Sequence, residues 1–193
     1  MQKENGHLEH DNHAQLLNDH PRNSILFKSD RIYRHKIMCI NYTTYDTRHS
    51  QDVINPFTPH RDIMVLNGSF VDDDHQSSHP YCYARVLGIY HANIIYTGPG
   101  MIDYRPKRME FLWVRWYRHA ELVQTSWGSY RLDRVQFPPV ADEYSFGFID
   151  PLDVMRSCHI IPAFAGGKVH TDNKGLSLCA QDSSDWVSYY VNR

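Results

Sequence analysis

The chain has 193 residues, 41% hydrophobic and 13% aromatic, with 20 Lys+Arg against 22 Asp+Glu and a formal charge of −2. That length suits one ordinary domain with a tail. The balance excludes an obligate polyanion binder, which carries a basic excess over the whole domain, but leaves room for a local basic patch.

Residues 1–30 are rich in His, Asn, Asp and Gln, interrupted only by Leu8, Leu16, Leu17 and Ile25-Leu26-Phe27. They read as a flexible polar His-rich tail, and residues 31–193 as one β-rich domain. Met1 to Asn23 holds no apolar h-region, so no secretory signal is expected and the chain reads as intracellular, nuclear or cytoplasmic. Apolar runs stay well short of the roughly 18 residues of a membrane span, so no membrane contact is expected.

Arg31 to Tyr45 has strand composition, with Ile32, Arg34, Lys36, Met38 and Ile40 on one face. Asp52 to Pro59, with an Asn-Pro step, reads as a loop. Arg61 to Val71 is a second strand, broken by Asn67-Gly68, a favoured hairpin turn. The like charges of Asp72-Asp73-Asp74 mark a solvated loop. Tyr81 to Tyr96 is a long strand, and Gly88 in its middle predicts a bulge or barrel corner. Thr97-Gly98-Pro99-Gly100 is a turn. Met109 to Tyr117 is the strongest strand, apolar on both faces. Leu132 to Phe137 is a short strand stopped by Pro138-Pro139. Asp150-Pro151 predicts a helical turn with Asp150 as N-cap, and strands follow at His159 to Phe164 and Ser184 to Val191. Many short strands with Gly and Pro punctuation predict a mainly β fold. The expected core is Val86, Ile89, Leu112, Val114, Trp116, Ile149, Ile160 and Ile161.

No catalytic constellation emerges. There is no GxSxG elbow, Thr97 to Gly100 lacks the following helix and Lys-Ser/Thr pair of a P-loop, and nothing in the spacing of the acidic residues selects a metal-binding set. Cys158 and His159 are neighbours on a strand and point to opposite faces. His7, His10 and His13 fall at helical spacing with His20, yet a metal site needs rigid backing that a polar tail lacks. Cys39, Cys82, Cys158 and Cys179 form no CxxC pair and read as buried free thiols. The expectation is no enzyme, no metal and no cofactor.

The best surface candidate is basic and aromatic. Tyr104, Arg105, Lys107 and Arg108 lead into Trp113, Arg115, Trp116, Tyr117 and Arg118. Cations there would neutralise phosphates and rings would stack on bases or cage a cation. The alternative is a Trp-rich core strand flanked by ordinary exposed charges.

Four pieces resemble the bromo-adjacent homology (BAH) domain, a small β-barrel that binds chromatin proteins. They are Ala84-Arg85-Val86-Leu87-Gly88-Ile89 ending at Tyr90, Val114-Arg115-Trp116-Tyr117, Cys158-His159-Ile160-Ile161, and Tyr189-Tyr190-Val191. The phrases YTGPGM, EFLWVRWY, FGFIDPLDVMRSCHIIPAF and DWVSYYVNR are similar to a multicopy family of uncharacterised fungal proteins found beside transposon-derived genes. Relatives of that kind continue past Tyr-Tyr-Val-Asn-Arg, which implies a shortened copy here.

The resemblance implies a partly open barrel that acts as a non-catalytic chromatin- or protein-interaction module, with a protein or histone peptide as partner. Its ligand residues would be Tyr81, Tyr83, Tyr90, Trp116, Tyr117 and Arg118. The methyl-lysine cage tryptophan of such domains falls on Trp116, and the other two cage positions fall on Cys82 and Arg118, neither aromatic. A one-residue bulge would let Tyr81 or Tyr83 replace Cys82 as a wall. Trp113 is expected on the face opposite Trp116. Two other readings stay open: DNA binding through Arg105, Lys107, Arg108, Arg115 and Arg118, and a degenerate copy without retained activity. Nothing in the sequence speaks to oligomeric state.

Overall fold

The structure, a computed structural model, describes residues 24–46, 48–67, 79–120 and 132–192. It is mainly β. Twelve strands occur among the described residues, and the only helices there are three-residue 3-10 turns. None of those helices is long and apolar enough to cross a membrane. The His-rich segment around His7, His10, His13 and His20, and the Asp72-Asp73-Asp74 loop, lie outside the described residues.

The strands are β1 (Ile25–His35), β2 (Met38–Thr43), β3 (His49–Ile54), β4 (Asp62–Leu66), β5 (Tyr81–Tyr96), β6 (Lys107–Trp116), β7 (Arg118–His119), β8 (Arg134–Gln136), β9 (Phe146–Ile149), β10 (Val154–Ser157), β11 (His159–Pro162) and β12 (Tyr189–Asn192). They form three sheets. The largest runs β10-β4-β5-β6-β9, with β1 also paired to β5; the second runs β11-β12-β8-β7; the third is the β2-β3 hairpin. These hydrogen-bonded sheets do not close into a barrel.

The first strand begins at Ile25, inside the segment assigned to the polar tail, and β3 runs to Ile54, into the expected loop. The expected Asn67-Gly68 turn runs outside the described residues at Gly68; Leu66 pairs with Tyr81, and the Asn67 amide donates to the Pro80 carbonyl at 2.9 Å. Only Cys158 of the four free cysteines is buried; Cys39 and Cys179 are exposed.

The chain divides into two compact units. Of the described residues, the first holds 24–33 and 91–109, and the second holds 34–67, 79–90 and the rest from 110 onward. In the first unit, Tyr33 stacks on His91 with ring centroids 4.7 Å apart. The Thr97 amide donates to the Ser24 carbonyl at 2.7 Å. Gly98 to Met101 closes as the expected turn, with Met101 N–H donating to Gly98 O at 3.3 Å and Gly100 at φ +81°. Pro before a left-handed Gly is the signature of a type II turn.

The second unit is built on strand alternation. Ile63, Val65, Ala84, Val86, Ile89, Leu112, Val114, Ile149, Val154 and Ile54 form one buried core, joined at its margin by Met38, Ile40, Cys82 and Trp116. Met64, Tyr83, Tyr117, Val135, Cys158, Tyr189 and Val191 form another. Consecutive strand residues such as Met64 and Val65 thus feed different cores, as side chains of period two must. On β5 the first core takes Cys82, Ala84 and Val86, then Ile89. The odd step means the alternation skips one residue near Leu87-Gly88, which is the irregularity that Gly88 predicts. Gly88 also leaves room for a ring: a Cβ there would lie 2.3 Å from the Tyr90 side chain.

Two chain segments pass from the first sheet into the second. Tyr117 alone separates β6 from β7, and Cys158 alone separates β10 from β11. Both of these corner residues are buried in the second core, because a bend inside a packed unit must fill its own inner angle. The Asp150 carboxylate accepts from Leu152 N–H at 2.9 Å ahead of a 3-10 turn begun by Pro151, as its sequence predicts.

Residues 163–188 hold no strand of the three sheets, only a bridge between Lys168 and Trp186. Asp182 organises part of this stretch, accepting from the backbone amides of Leu176 at 2.8 Å and Ser177 at 3.1 Å. Gly175 makes the approach possible, since a Cβ there would lie 2.2 Å from Asp182 Oδ1. Burial works against the Asp182 charge, but these amide donors outweigh it and hold the carboxyl below its ordinary value. A carboxylate whose folded pKa is depressed adds stability above its unfolded pKa, near 3.9, and loses it as pH falls through the folded value. Urea midpoints taken from pH 6 down to pH 2.5 are therefore expected to fall more steeply in the wild type than in Asp182→Asn. Parallel profiles for the two proteins would contradict the assignment.

Candidate functional site

The six ligand residues expected from the sequence are not gathered on one surface. Trp116 packs half-buried against the first core, as does Cys82. Tyr81, Tyr83 and Tyr117 belong to the second core instead. The pairing of β4 with β5 is regular from Asp62↔Arg85 to Leu66↔Tyr81, so no bulge turns Tyr81 or Tyr83 toward Trp116. The expected replacement of a cage wall by either tyrosine does not occur, because period-two alternation keeps them on the face opposite Cys82. Tyr83 is 1% exposed and Tyr117 6%, and neither offers a ring to solvent. Arg118 is exposed and paired with Asp142 at 3.1 Å. Tyr90 is half-buried and stacks on Phe111.

A cluster that the sequence did not reveal sits at the start of β5. The Tyr83 hydroxyl donates to Asp133 Oδ2 at 2.8 Å, and His79 Nε2 lies 3.2 Å from the same oxygen. The His79 and His119 rings are 4.1 Å apart, and His119 Nε2 lies 3.1 Å from the Tyr81 carbonyl. His79 Nδ1 lies 2.9 Å from the Tyr81 carbonyl oxygen and 3.2 Å from the Tyr81 amide nitrogen. The members come from distant positions in the chain, so no spacing rule could have found them. Its hydrogen bonds tie the strand ends to one another.

A second polar network is fully interior. Arg85 donates to Asp185 at 3.0 Å and to the Tyr117 hydroxyl at 3.0 Å, and pairs with Asp62 at 3.4 Å. Arg115 also donates to Asp185, and its guanidinium lies 3.9 Å over the Phe137 ring, with that of Arg85 4.6 Å from the same ring. Burial raises the Asp62 carboxyl above its ordinary value, despite Arg85 and Arg61 beside it. Burial raises the Tyr117 phenol as well, reinforced by Asp62. Burial opposes the Arg85 charge, but Tyr117, Asp62, Tyr189 and Asp185 around it outweigh that effect and raise its pKa. Arg115, read from sequence as a phosphate contact, is 3% exposed. It is a core residue held by Asp185, which corrects that expectation.

An aromatic row, half-buried except at Phe148, runs along the margin of the largest sheet. Trp113 pairs across to Phe148 and Arg115 to Phe146, so Phe111, Trp113, Phe146 and Phe148 share one face. Tyr90 stacks on Phe111 at 5.6 Å, Phe111 meets Phe148 edge-on at 5.8 Å, and Trp113 lies 6.2 Å from Phe146. Phe148 is 68% exposed, on the strand that ends this sheet among the described residues. Trp113 does face away from Trp116, as alternation requires. The other basic candidates, Arg105, Lys107 and Arg108, are all exposed. Among the described residues no group of three or more His, Cys, Asp or Glu side chains is placed to hold a metal ion.

Comparison with protein-family models, with curated proteins and with solved structures finds no match to this chain.

Proposed function

We propose that this chain is a non-catalytic binding module that takes an extended protein segment, of the histone-tail kind, along β9. One observation carries the reading: a row of five aromatic rings on one sheet face, ending in the exposed Phe148 on a marginal strand. An edge strand offers backbone hydrogen bonds to an added strand, and pockets beside it select alternate side chains. Four of these rings are half-buried and Phe148 stands exposed at the end of the row, which gives an incoming segment one aromatic anchor on a supported face. The partly open BAH-like barrel belongs to the same proposal. Its support is the pair of segments that cross between the two larger sheets at Tyr117 and Cys158, the way corners are made where sheets meet.

The test is binding of labelled histone-tail peptides, unmodified and lysine-methylated, to wild type and Phe148→Ser. The substitution removes an exposed ring, so the melting temperature should stay within a degree or two of wild type, in keeping with surface changes of about 0.5 kcal/mol or less. Affinity should fall about tenfold or more, as for an aromatic anchor. Absence of peptide binding, or binding indifferent to Phe148→Ser, would refute the proposal.

A further inference from the structure

The first compact unit has a chemistry of its own. Three of its basic side chains, Arg105, Lys107 and Arg108, fall within four positions at the β5-β6 turn and the start of β6, with Asp103 the one acidic side chain between residues 91 and 109. These cations are exposed, and Arg105 reaches only the Asp103 carboxylate of its own turn, at 3.8 Å. The same unit exposes large apolar groups: Ile102 at 95%, Tyr104 at 60%, Leu26 at 53%, Phe27 at 44% and Tyr96 at 40%. Large apolar groups exposed beside clustered cations form a surface suited to a partner.

The geometry points to a nucleic-acid backbone as that partner: we infer that the turn between β5 and β6, together with Lys107–Met109, binds it. This rests on a different surface from the peptide reading and stands or falls without it. Two features favour nucleic acid. The cations cluster at the turn and at the start of β6, where one backbone could meet Arg105, Lys107 and Arg108 in succession. An apolar tip such as Ile102 beside Tyr104 is the kind of side chain that wedges between base steps or stacks on bases.

The experiment uses the full chain, with fluorescence anisotropy on a labelled duplex and on a labelled single strand at two salt concentrations, and flotation with vesicles containing anionic lipid. The expected result is binding to at least one oligonucleotide that weakens steeply with salt. The triple variant Arg105→Gln/Lys107→Gln/Arg108→Gln should lose about tenfold or more in affinity at low salt, and its log–log salt slope should be shallower by roughly 2 to 3. Lys174→Gln, exposed but outside this unit, should behave as wild type, and circular dichroism should show all variants folded. Absence of binding by the folded wild type at low salt, equal affinity in the triple variant, or vesicle binding without oligonucleotide binding would each overturn the inference.

Discussion

Replacing Asp185 with alanine is expected to destabilise the protein by about 3–5 kcal/mol, the cost of breaking a buried ion pair by removing one partner. The Asp185 side chain is 3% exposed, and those of Arg85 and Arg115 are 6% and 4%. Without it Arg85 keeps Asp62 and the Tyr117 hydroxyl as partners, while Arg115 keeps a carbonyl of Ala180 that accepts at 3.4 Å. Arg115 Nε is already a buried donor without a hydrogen-bond partner. Asp185→Asn keeps the volume but not the charge and should recover only part of the loss. Adding Arg115→Met to Asp185→Asn should cost less than the two changes separately, because each then removes the charge that the other leaves stranded. Urea unfolding monitored by tryptophan fluorescence reads these values. A loss under about 1 kcal/mol for Asp185→Ala would mean that the network is solvated like a surface pair.

Tyr83→Ala carries the second large effect. The ring is 1% exposed within the second core, and truncation of a buried aromatic costs about 3–5 kcal/mol. Its hydroxyl donates to Asp133 at 2.8 Å. Tyr83→Phe keeps the packing and removes only that bond, so it should cost about 1–2 kcal/mol, with His79 still beside the carboxylate. The difference between the two variants separates packing from hydrogen bonding at one position. Because Tyr83 also stands among the ligand residues implied by the BAH resemblance, peptide affinity measured on folded Tyr83→Phe is informative. Unchanged affinity is expected, since the side chain faces the core. A selective loss of affinity with intact stability would place the ligand against Tyr83 and move the site away from Phe148.

Local chemistry made much of the fold legible. Asp150 before Pro151 gives a capped turn wherever it lies, because the carboxylate reaches an amide two residues on without help from the rest of the chain. Pro99-Gly100 closes a turn because only glycine takes that φ readily. Val86, Ile89, Leu112, Val114 and Ile149 are apolar residues in strand-forming runs, and burial was the expected outcome. Arg85 and Arg115 could not be read in this way. A cation within an apolar strand is ordinarily a surface residue, and only the arrival of Asp185, far along the chain, gives it an interior partner. Tyr81 and Tyr83 were assigned to a groove by resemblance, but alternation on a regular strand sends them to the core opposite Trp116. The aromatic row was half visible: Phe111, Trp113, Phe146 and Phe148 alternate in their own strands, yet their meeting depends on the pairing of β9 with β6.

The sequence by itself determined the β-rich class, the turns and the identity of most first-core residues, because those follow from backbone preference and from the period-two separation of apolar and polar side chains. Tertiary structure alone decided which charges are interior, which histidines meet and which aromatic face is left uncovered. Each of those depends on contacts between residues distant in the chain, such as Arg115 with Asp185 or His79 with Asp133, and no local preference specifies a partner that far away.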